Sequence, residues 1–153
     1  MAEFKIDGRM TVRTLKEKFK KEFEEHFDME YALVYYVYTF FALMVDQRAK
    51  NMFLTTWDKQ HWQAWLYDND TCLGINNVGE LVFDYYHEDH DTDGTKYVYN
   101  GAESALWVNF REAFADEIQE LYSEWRKHEG SADTLVSYDT VNSILSLSFV
   151  LKL

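Results

Sequence analysis

The sequence has no proline, six glycines and one cysteine in 153 residues. Linkers between domains are commonly rich in proline and glycine, so their scarcity predicts a single domain over residues 1–153. Cys72 has no second cysteine with which to form an internal disulfide, which predicts a reducing compartment such as the cytoplasm. The first residues lack the apolar run of a signal peptide, and this favours the same location.

Familiar catalytic motifs are also missing. The sequence contains no GxSxG, no glycine-rich phosphate loop, no HExxH and no paired-cysteine metal motif. None of the histidines lies in a pattern that clearly indicates an acid–base pair. The sequence therefore favours a binding protein over an enzyme, and no cofactor is expected.

Residues 31–45, YALVYYVYTFFALMV, form the longest apolar run and carry no charge. The run is shorter than the roughly 20 residues that a membrane-spanning helix needs, and its tyrosines are unfavourable in a bilayer. It is therefore predicted to be buried core. Its valine, tyrosine and phenylalanine content favours a strand over a helix.

Two stretches carry apolar residues at steps of three and four, the spacing of one helix face. They predict amphipathic helices over about 11–27 and 103–128. A basic last turn followed by Gly130 is typical of a C-terminus for the second helix. The apolar residues are Val12, Leu15, Phe19, Phe23 and Phe27 in the first helix, and Leu106, Phe110, Phe114, Ile118, Leu121 and Trp125 in the second.

Short aromatic or β-branched segments predict strands. From about residue 50 to 100, the segments NMFLTTW, HWQAWLY, ELVFDYYHE and TKYVYNG predict an antiparallel meander. Residues 3–6 predict a short first strand, and the alternation over 143–153 predicts a last one. The predicted fold is α+β, with an antiparallel sheet of about five to six strands packed with two main helices.

Acidic residues outnumber basic ones by 27 to 15, which gives a net charge of −12. Residues 1–27 hold seven basic and six acidic residues, whereas residues 28–153 hold eight and 21. Nucleic acid and anionic lipid repel such a chain, so direct binding to either is not expected. A basic protein partner would be attracted to it, although negative charge also serves solubility.

An acidic segment, HEDHDTDG, covers residues 87–94. Asp89, Asp91, Asp93 and Gly94 match the opening of a calcium-binding loop, in which alternating aspartates converge on a hard cation. Asn100 stands where such a loop places its bidentate glutamate. The favoured interpretation is a hairpin tip without a specific metal, since turns are rich in aspartate and glycine. Calcium binding by the three aspartates is one alternative, and a transition metal on His87 and His90 is another.

The second predicted helix carries four acidic residues at intervals of four, on a face away from its apolar residues: Glu112, Asp116, Glu120 and Glu124. Like charges at this spacing repel one another by a few tenths of a kcal/mol per pair. The face is either an ordinary solvated surface or a docking surface for a basic partner. Glu88, Asp89, Asp91 and Asp93 of the acidic segment extend the second interpretation, because complementary charge speeds association.

These patterns predict a small acidic protein that acts as an inhibitor or immunity-type protein. Such a protein would mimic nucleic acid and occupy the basic surface of a nuclease or nucleic-acid-binding partner, as toxin-neutralising and phage-encoded anti-defence proteins do. One alternative is a ligand-binding or catalytic domain with an aromatic pocket, supported by calcium. Another is a structural subunit that oligomerises through residues 31–45. The partner and the oligomeric state are not encoded in any motif of the sequence.

Overall fold

The computed structural model describes residues 12–89, 97–98 and 104–126. The described residues form four helices and one antiparallel sheet of two strands. In chain order, the elements are α1 (Val12–His26), α2 (Met29–Phe41), β1 (Met52–Thr55), β2 (Gln63–Leu66), α3 (Ala105–Ala113) and α4 (Ala115–Arg126).

The chain divides into two compact units, Met1–Ile118 and Gln119–Leu153. The first unit contains all the elements up to α3 together with the start of α4. In the second unit, residues 119–126 are described, and they continue α4. That the whole chain is a single domain stays a prediction.

The helix predicted over about 11–27 is present as α1. Its apolar side faces the core, where Phe23 is buried, and its opposite side is charged. Three ion pairs at the i,i+4 spacing join Arg13 to Glu17, Lys18 to Glu22 and Lys21 to Glu25. Such pairs each stabilise a helix by about 0.2–0.5 kcal/mol. The charged face of α1 therefore stabilises the same helix that the spacing of its apolar residues predicts.

The prediction of a strand over residues 31–45 is wrong, because most of this run belongs to α2. The helix begins after Asp28, whose Oδ1 accepts a hydrogen bond from the Tyr31 backbone N–H at 3.0 Å. This is an N-cap, which satisfies one of the donors left free at the start of a helix. Ala32, Tyr35, Tyr36, Val37 and Thr39 are buried, so α2 packs inside the unit. Within the described ranges, no helix is long and apolar enough to cross a membrane.

β1 and β2 form a hairpin in which Phe53 lies opposite Trp65 and Leu54 lies opposite Ala64. Ala64 is buried against the helices, whereas Phe53 and Trp65 are 56% and 46% exposed on the other face. The hairpin therefore covers the core with one face and presents aromatic rings on the other.

The predicted sheet of five to six strands is wrong for the described part of the chain, which has two strands. Residues 80–88 form turns instead of a strand, apart from an isolated bridge between Ile75 and Leu81. Asp84 imposes a turn because its Oδ1 accepts the Tyr86 backbone N–H, at 3.0 Å. Of the segment 95–101, Tyr97 and Val98 are described and neither is in a strand. The strands predicted at 3–6 and 143–153 lie outside the described residues.

The core of the first unit is largely aromatic and lies where α1, α2 and α3 meet. The Tyr35 and Trp107 rings stack at 5.2 Å, and the Phe23 ring lies 4.9 Å from that of Phe110. Trp107 and Phe110 are 1% and 0% exposed. The core consists of Phe23, Ala32, Tyr35, Tyr36, Ala64, Trp107, Phe110, Ala113 and Phe114.

The single helix predicted over 103–128 is also corrected, since α3 and α4 are separate helices with Phe114 between them. Phe114 has φ −109° and ψ 30°, outside helical values, and is 1% exposed. Its ring packs 4.7 Å from that of Phe110 in the core. Asp116 and Glu117 occupy the first turn of α4, where negative charge is favourable beside the helix dipole. Core packing and this acidic turn together account for a break that no glycine or proline marks.

Candidate functional site

The four acidic residues predicted to contact a partner on the second helix are all exposed. Glu112 lies on α3 and Asp116 in the first turn of α4, and both belong to the first unit. Glu120 and Glu124 lie on the part of α4 that belongs to the second unit. The predicted continuous row is therefore interrupted at Phe114, and we treat Glu112 with Asp116 as one candidate patch and Glu120 with Glu124 as another.

The ion pairs of the described residues distinguish these carboxylates from those of α1. Glu17, Glu22 and Glu25 of α1 each lie within 4 Å of a basic side chain on their own helix, at 2.9, 3.5 and 3.9 Å. Across the described part of the chain, none of the ion pairs includes Glu112, Asp116, Glu120 or Glu124. Among the described residues, three carboxylates of α1 are thus paired on their own helix, whereas Glu112, Asp116, Glu120 and Glu124 are in no ion pair within 4 Å.

Lys20 of α1 pairs with Glu117, the residue that follows Asp116. Its Nζ lies 2.5 Å from Glu117 Oε1 and 4.9 Å from the centre of the Phe114 ring. Burial raises the pKa of Glu117, but the hydrogen bond from Lys20, a backbone N–H hydrogen bond and the positive charge of Lys20 together outweigh this effect and lower the pKa overall. The pair joins α1 to the first turn of α4, which also contains Asp116.

Replacing Lys20 with methionine should change how stability depends on pH. The lowered pKa of Glu117 means that the unfolded chain takes up a proton first, near the ordinary value of 4.5. The pair therefore stabilises the protein above that pH, by about 0.5–1 kcal/mol for a partly exposed ion pair, and this contribution is lost as pH falls through the folded-state pKa. Urea unfolding at about pH 7 and about pH 3.5 should show a smaller difference for Lys20→Met than for the wild type.

The matched control is Lys21→Met, because Lys21 and Glu25 are both well exposed and their atoms are 3.9 Å apart. This variant should retain the pH dependence of the wild type, since an exposed pair of this length contributes little. An identical change in both variants would show that the Lys20–Glu117 pair is not the source of the effect.

A groove of about 440 Å³ lies between α1 and α3, beside Glu112. Its lining combines apolar side chains with charges of both signs, so it is not an acidic pocket. Leu15 is 49% exposed at its edge. The lining residues are Leu15, Lys16, Lys18, Phe19, Glu22, Asn109, Glu112 and Ala113. A partner that reaches Glu112 would therefore meet apolar surface next to the carboxylate.

The acidic segment is described only as far as Asp89, which is exposed; Asp91 and Asp93 lie outside the described residues. Glu88 is half-buried, and its Oε2 accepts hydrogen bonds from the Tyr97 hydroxyl at 2.7 Å and from the Asp84 N–H at 2.9 Å. Glu88 thus stabilises the local backbone conformation through these two hydrogen bonds. Among the described residues, no three histidine, cysteine or acidic side chains are grouped to hold a metal ion. Calcium binding by Asp89, Asp91 and Asp93 stays a prediction.

No family model, curated protein or solved structure matches this chain.

Sequence reasoning missed two carboxylate–imidazole pairs with the same Asp-x-x-His spacing. In each, a histidine Nδ1 lies 2.6 Å from an aspartate Oδ2, between His61 and Asp58 and between His87 and Asp84. The His61 backbone N–H, its side chain and the Gln60 N–H lower the pKa of Asp58 strongly. The His87 side chain and then the Tyr86 N–H lower that of Asp84.

These two pairs are exposed turns in which the aspartate also accepts backbone N–H groups. A carboxylate on Nδ1 orients an imidazole, as in many catalytic sites. Catalysis also needs a nucleophile or a substrate pocket beside the ring, and no hydrogen bond among the described residues joins either histidine to a hydroxyl or a thiol. The geometry therefore supports a role in fixing the turns. The Asp-x-x-His spacing itself was visible in the sequence.

Proposed function

We propose that this protein is an acidic binding module that occupies the basic surface of a protein partner, and that it acts as an inhibitor or immunity-type protein. The observation that carries the proposal is the exposure of four carboxylates on α3 and α4 that are in no ion pair among the described residues: Glu112, Asp116, Glu120 and Glu124. The partner would be a nuclease or another nucleic-acid-binding protein, because such proteins carry basic surfaces that patches of exposed carboxylates fit.

The mechanism would be competitive. Carboxylates held on a helix would lie where phosphates otherwise bind, and nucleic acid would be excluded by sterics and by charge. The net charge of −12 would steer the two proteins together and raise the association rate. Because exposed charges are screened over about 8–10 Å at physiological ionic strength, the complex should weaken as salt rises.

The packing of α2 and of the tryptophans supports this proposal over the alternatives. α2 buries five of its residues inside its own unit, and of the run 31–45 only Val34 and Tyr38 are exposed, at 41% and 40%, which is a small area for an oligomer interface. Trp107 is core, whereas Trp57 and Trp65 are 91% and 46% exposed. These three rings therefore do not line a shared enclosed pocket, as the ligand-binding alternative requires.

The test is charge reversal in the Glu112 and Asp116 patch. A partner is first captured with the wild-type chain from the source cells, identified and purified. Glu112→Lys with Asp116→Lys should then weaken its binding about tenfold or more, since reversing charges at a close interface costs more than about 1.4 kcal/mol. Calorimetric titration at low and at physiological salt measures the loss, and the partner's nucleic-acid binding should be restored in parallel.

Glu24→Lys with Glu25→Lys is the matched control, because it makes the same change in net charge on an exposed part of α1. We expect an effect within about twofold at physiological salt, where distant charges are screened. Glu120→Lys with Glu124→Lys is measured separately, because these residues belong to the other unit. Unchanged affinity in the Glu112 and Asp116 variant, or an equal loss in the control, would contradict the contact assignment.

A further inference from the structure

Residues 73–89, which we call the 73–89 loop, expose many large apolar side chains. Tyr86 is 95% exposed, Val78 76% and Leu81 62%. Single exposed apolar residues are normal on a protein surface, but several in one short segment mark an interaction site. The exposed apolar residues of the loop are Leu73, Val78, Leu81, Val82, Tyr85 and Tyr86.

Internal hydrogen bonds fix the conformation of this loop. The Val82 N–H bonds to the Gly74 carbonyl at 2.8 Å, and the Tyr85 hydroxyl bonds to the Leu73 carbonyl at 2.8 Å. The side-chain oxygen of Asn76 accepts the N–H groups of Val78 and Glu80, each at 3.0 Å. The apolar side chains are therefore presented by an ordered backbone, which lowers the entropy lost on binding.

Phe83 anchors the loop. It is 2% exposed, and its ring packs edge-on against the rings of Tyr85 and Tyr97 at 4.7 and 5.1 Å. Its neighbours Val82 and Leu81 remain exposed at 44% and 62%. The buried Phe83 side chain thus fixes the segment to the protein, whereas Leu81 and Val82 beside it face the solvent.

The charge of the 73–89 loop and its flanking residues indicates which kind of partner it fits. Residues 60–95 contain no lysine or arginine. Within the loop, Glu80, Asp84 and Asp89 are exposed among the apolar side chains. A surface that mixes apolar groups with carboxylates and has no lysine or arginine of its own complements a segment that is apolar and cationic. The exposed Tyr86 ring adds a face on which lysine or arginine can pack.

We propose that the 73–89 loop is a docking surface for a basic amphipathic segment of a protein partner. The inference rests on the proposed function in one respect, that this segment belongs to the same basic partner. It adds the apolar side chains of the loop to an interface whose proposed contact residues were carboxylates. Burial of exposed tyrosine and aliphatic side chains supplies affinity that salt does not screen, whereas carboxylates chiefly supply rate and specificity.

The test uses three short synthetic peptides and the whole chain. The first consists of lysine and leucine, with leucine at steps of three and four so that it forms one helical face; the second has glutamate in place of lysine; the third has serine in place of leucine. We expect the lysine–leucine peptide to bind most tightly and to shift backbone amide resonances mainly within residues 73–89. Fluorescence anisotropy gives the dissociation constants.

Val78→Ser with Tyr86→Ser should weaken binding of the lysine–leucine peptide about tenfold or more, because exposed aromatic anchors dominate such contacts. Both side chains are more than three-quarters exposed, so the fold should be retained. Phe53→Ser with Trp57→Ser is the matched control. It removes two exposed apolar side chains, 56% and 91% exposed, from outside the loop and should change affinity less than about twofold.

Three results would overturn the inference: equal binding of the glutamate–leucine peptide, equal binding of the lysine–serine peptide, or an unchanged affinity in the Val78→Ser and Tyr86→Ser variant. The captured partner separates this inference from the proposed function. If helix charge reversal releases the partner and the loop variant does not, the loop inference is wrong and the proposed function stands. If the peptide binds the loop and the chain inhibits no nucleic-acid-binding partner, the proposed function is wrong and the loop inference stands.

Discussion

Replacing Trp107 with alanine is expected to lower the free energy of unfolding by about 3–5 kcal/mol, the cost typical of removing a large aromatic side chain from a packed core. Trp107 is 1% exposed. Its ring stacks on that of Tyr35 at 5.2 Å and meets that of Phe110 edge-on at 5.5 Å. The indole N–H also points to the Met52 sulfur at 3.2 Å, so one side chain joins α3 to α2 and β1. Urea denaturation followed by circular dichroism measures the loss.

Trp57 provides a control of the same residue type. It is 91% exposed, and its replacement by alanine should change the free energy of unfolding by less than about 0.5 kcal/mol. A typical domain is stable by only about 5–15 kcal/mol, so the difference between the two variants should be a large fraction of the total. Similar losses in the two variants would mean that the aromatic core is not where the structure places it.

The periodicity of apolar residues predicted the helices only where polar residues made it visible. In α1, phenylalanines stand four residues apart with charged residues between them, and the predicted helix is present. In α2, Ala32, Tyr35, Tyr36 and Thr39 are buried at helical spacing. The residues between them are apolar too, so no face stands out and the β-preference of valine and tyrosine misled the prediction. Asp28, the N-cap, was the local signal that could have corrected it.

The strand predictions differed in outcome for a local reason. β1 and β2 pair with each other in the hairpin, so the backbone N–H and C=O groups of each strand find hydrogen-bond partners in the other. Residues 80–88 have similar aromatic and β-branched content, but Asp84 accepts hydrogen bonds from the Tyr86 N–H and His87 side chain. Aspartate competes with the sheet for backbone N–H groups in this way, which composition does not reveal.

The candidate site was predictable in part. The exposure of Glu112, Asp116, Glu120 and Glu124 agrees with their place away from the apolar stripe. The break at Phe114 was not predictable, because it depends on core packing against Phe19 and Phe23, which are distant in sequence. The same holds for Lys20, which pairs with Glu117 across 97 residues. The charge pattern of the first unit thus became visible only once the pairs were known.

Replacing Gly74 with alanine is expected to cost about 2–5 kcal/mol of folding free energy. Gly74 has φ +76°, a left-handed conformation that costs other residues about 1–2 kcal/mol. A Cβ there would lie 2.5 Å from the Cβ of Phe83, far inside the normal contact distance. Overpacking of this kind adds about 1–3 kcal/mol, and Phe83 cannot easily yield because it is buried between Tyr85 and Tyr97.

Gly79 separates the two contributions. Its φ is +81°, almost that of Gly74, but a Cβ at this position would have no heavy atom within 4 Å. Gly79→Ala should therefore cost only the backbone term, about 1 kcal/mol, and the difference between the two variants isolates the contact with Phe83. Chemical denaturation of both variants measures it. Equal losses of stability would mean that Phe83 does not pack on Gly74. The contact between Phe83 and Gly74 anchors the 73–89 loop. Gly74→Ala should therefore also weaken binding of the lysine–leucine peptide, and Gly79→Ala should weaken it less.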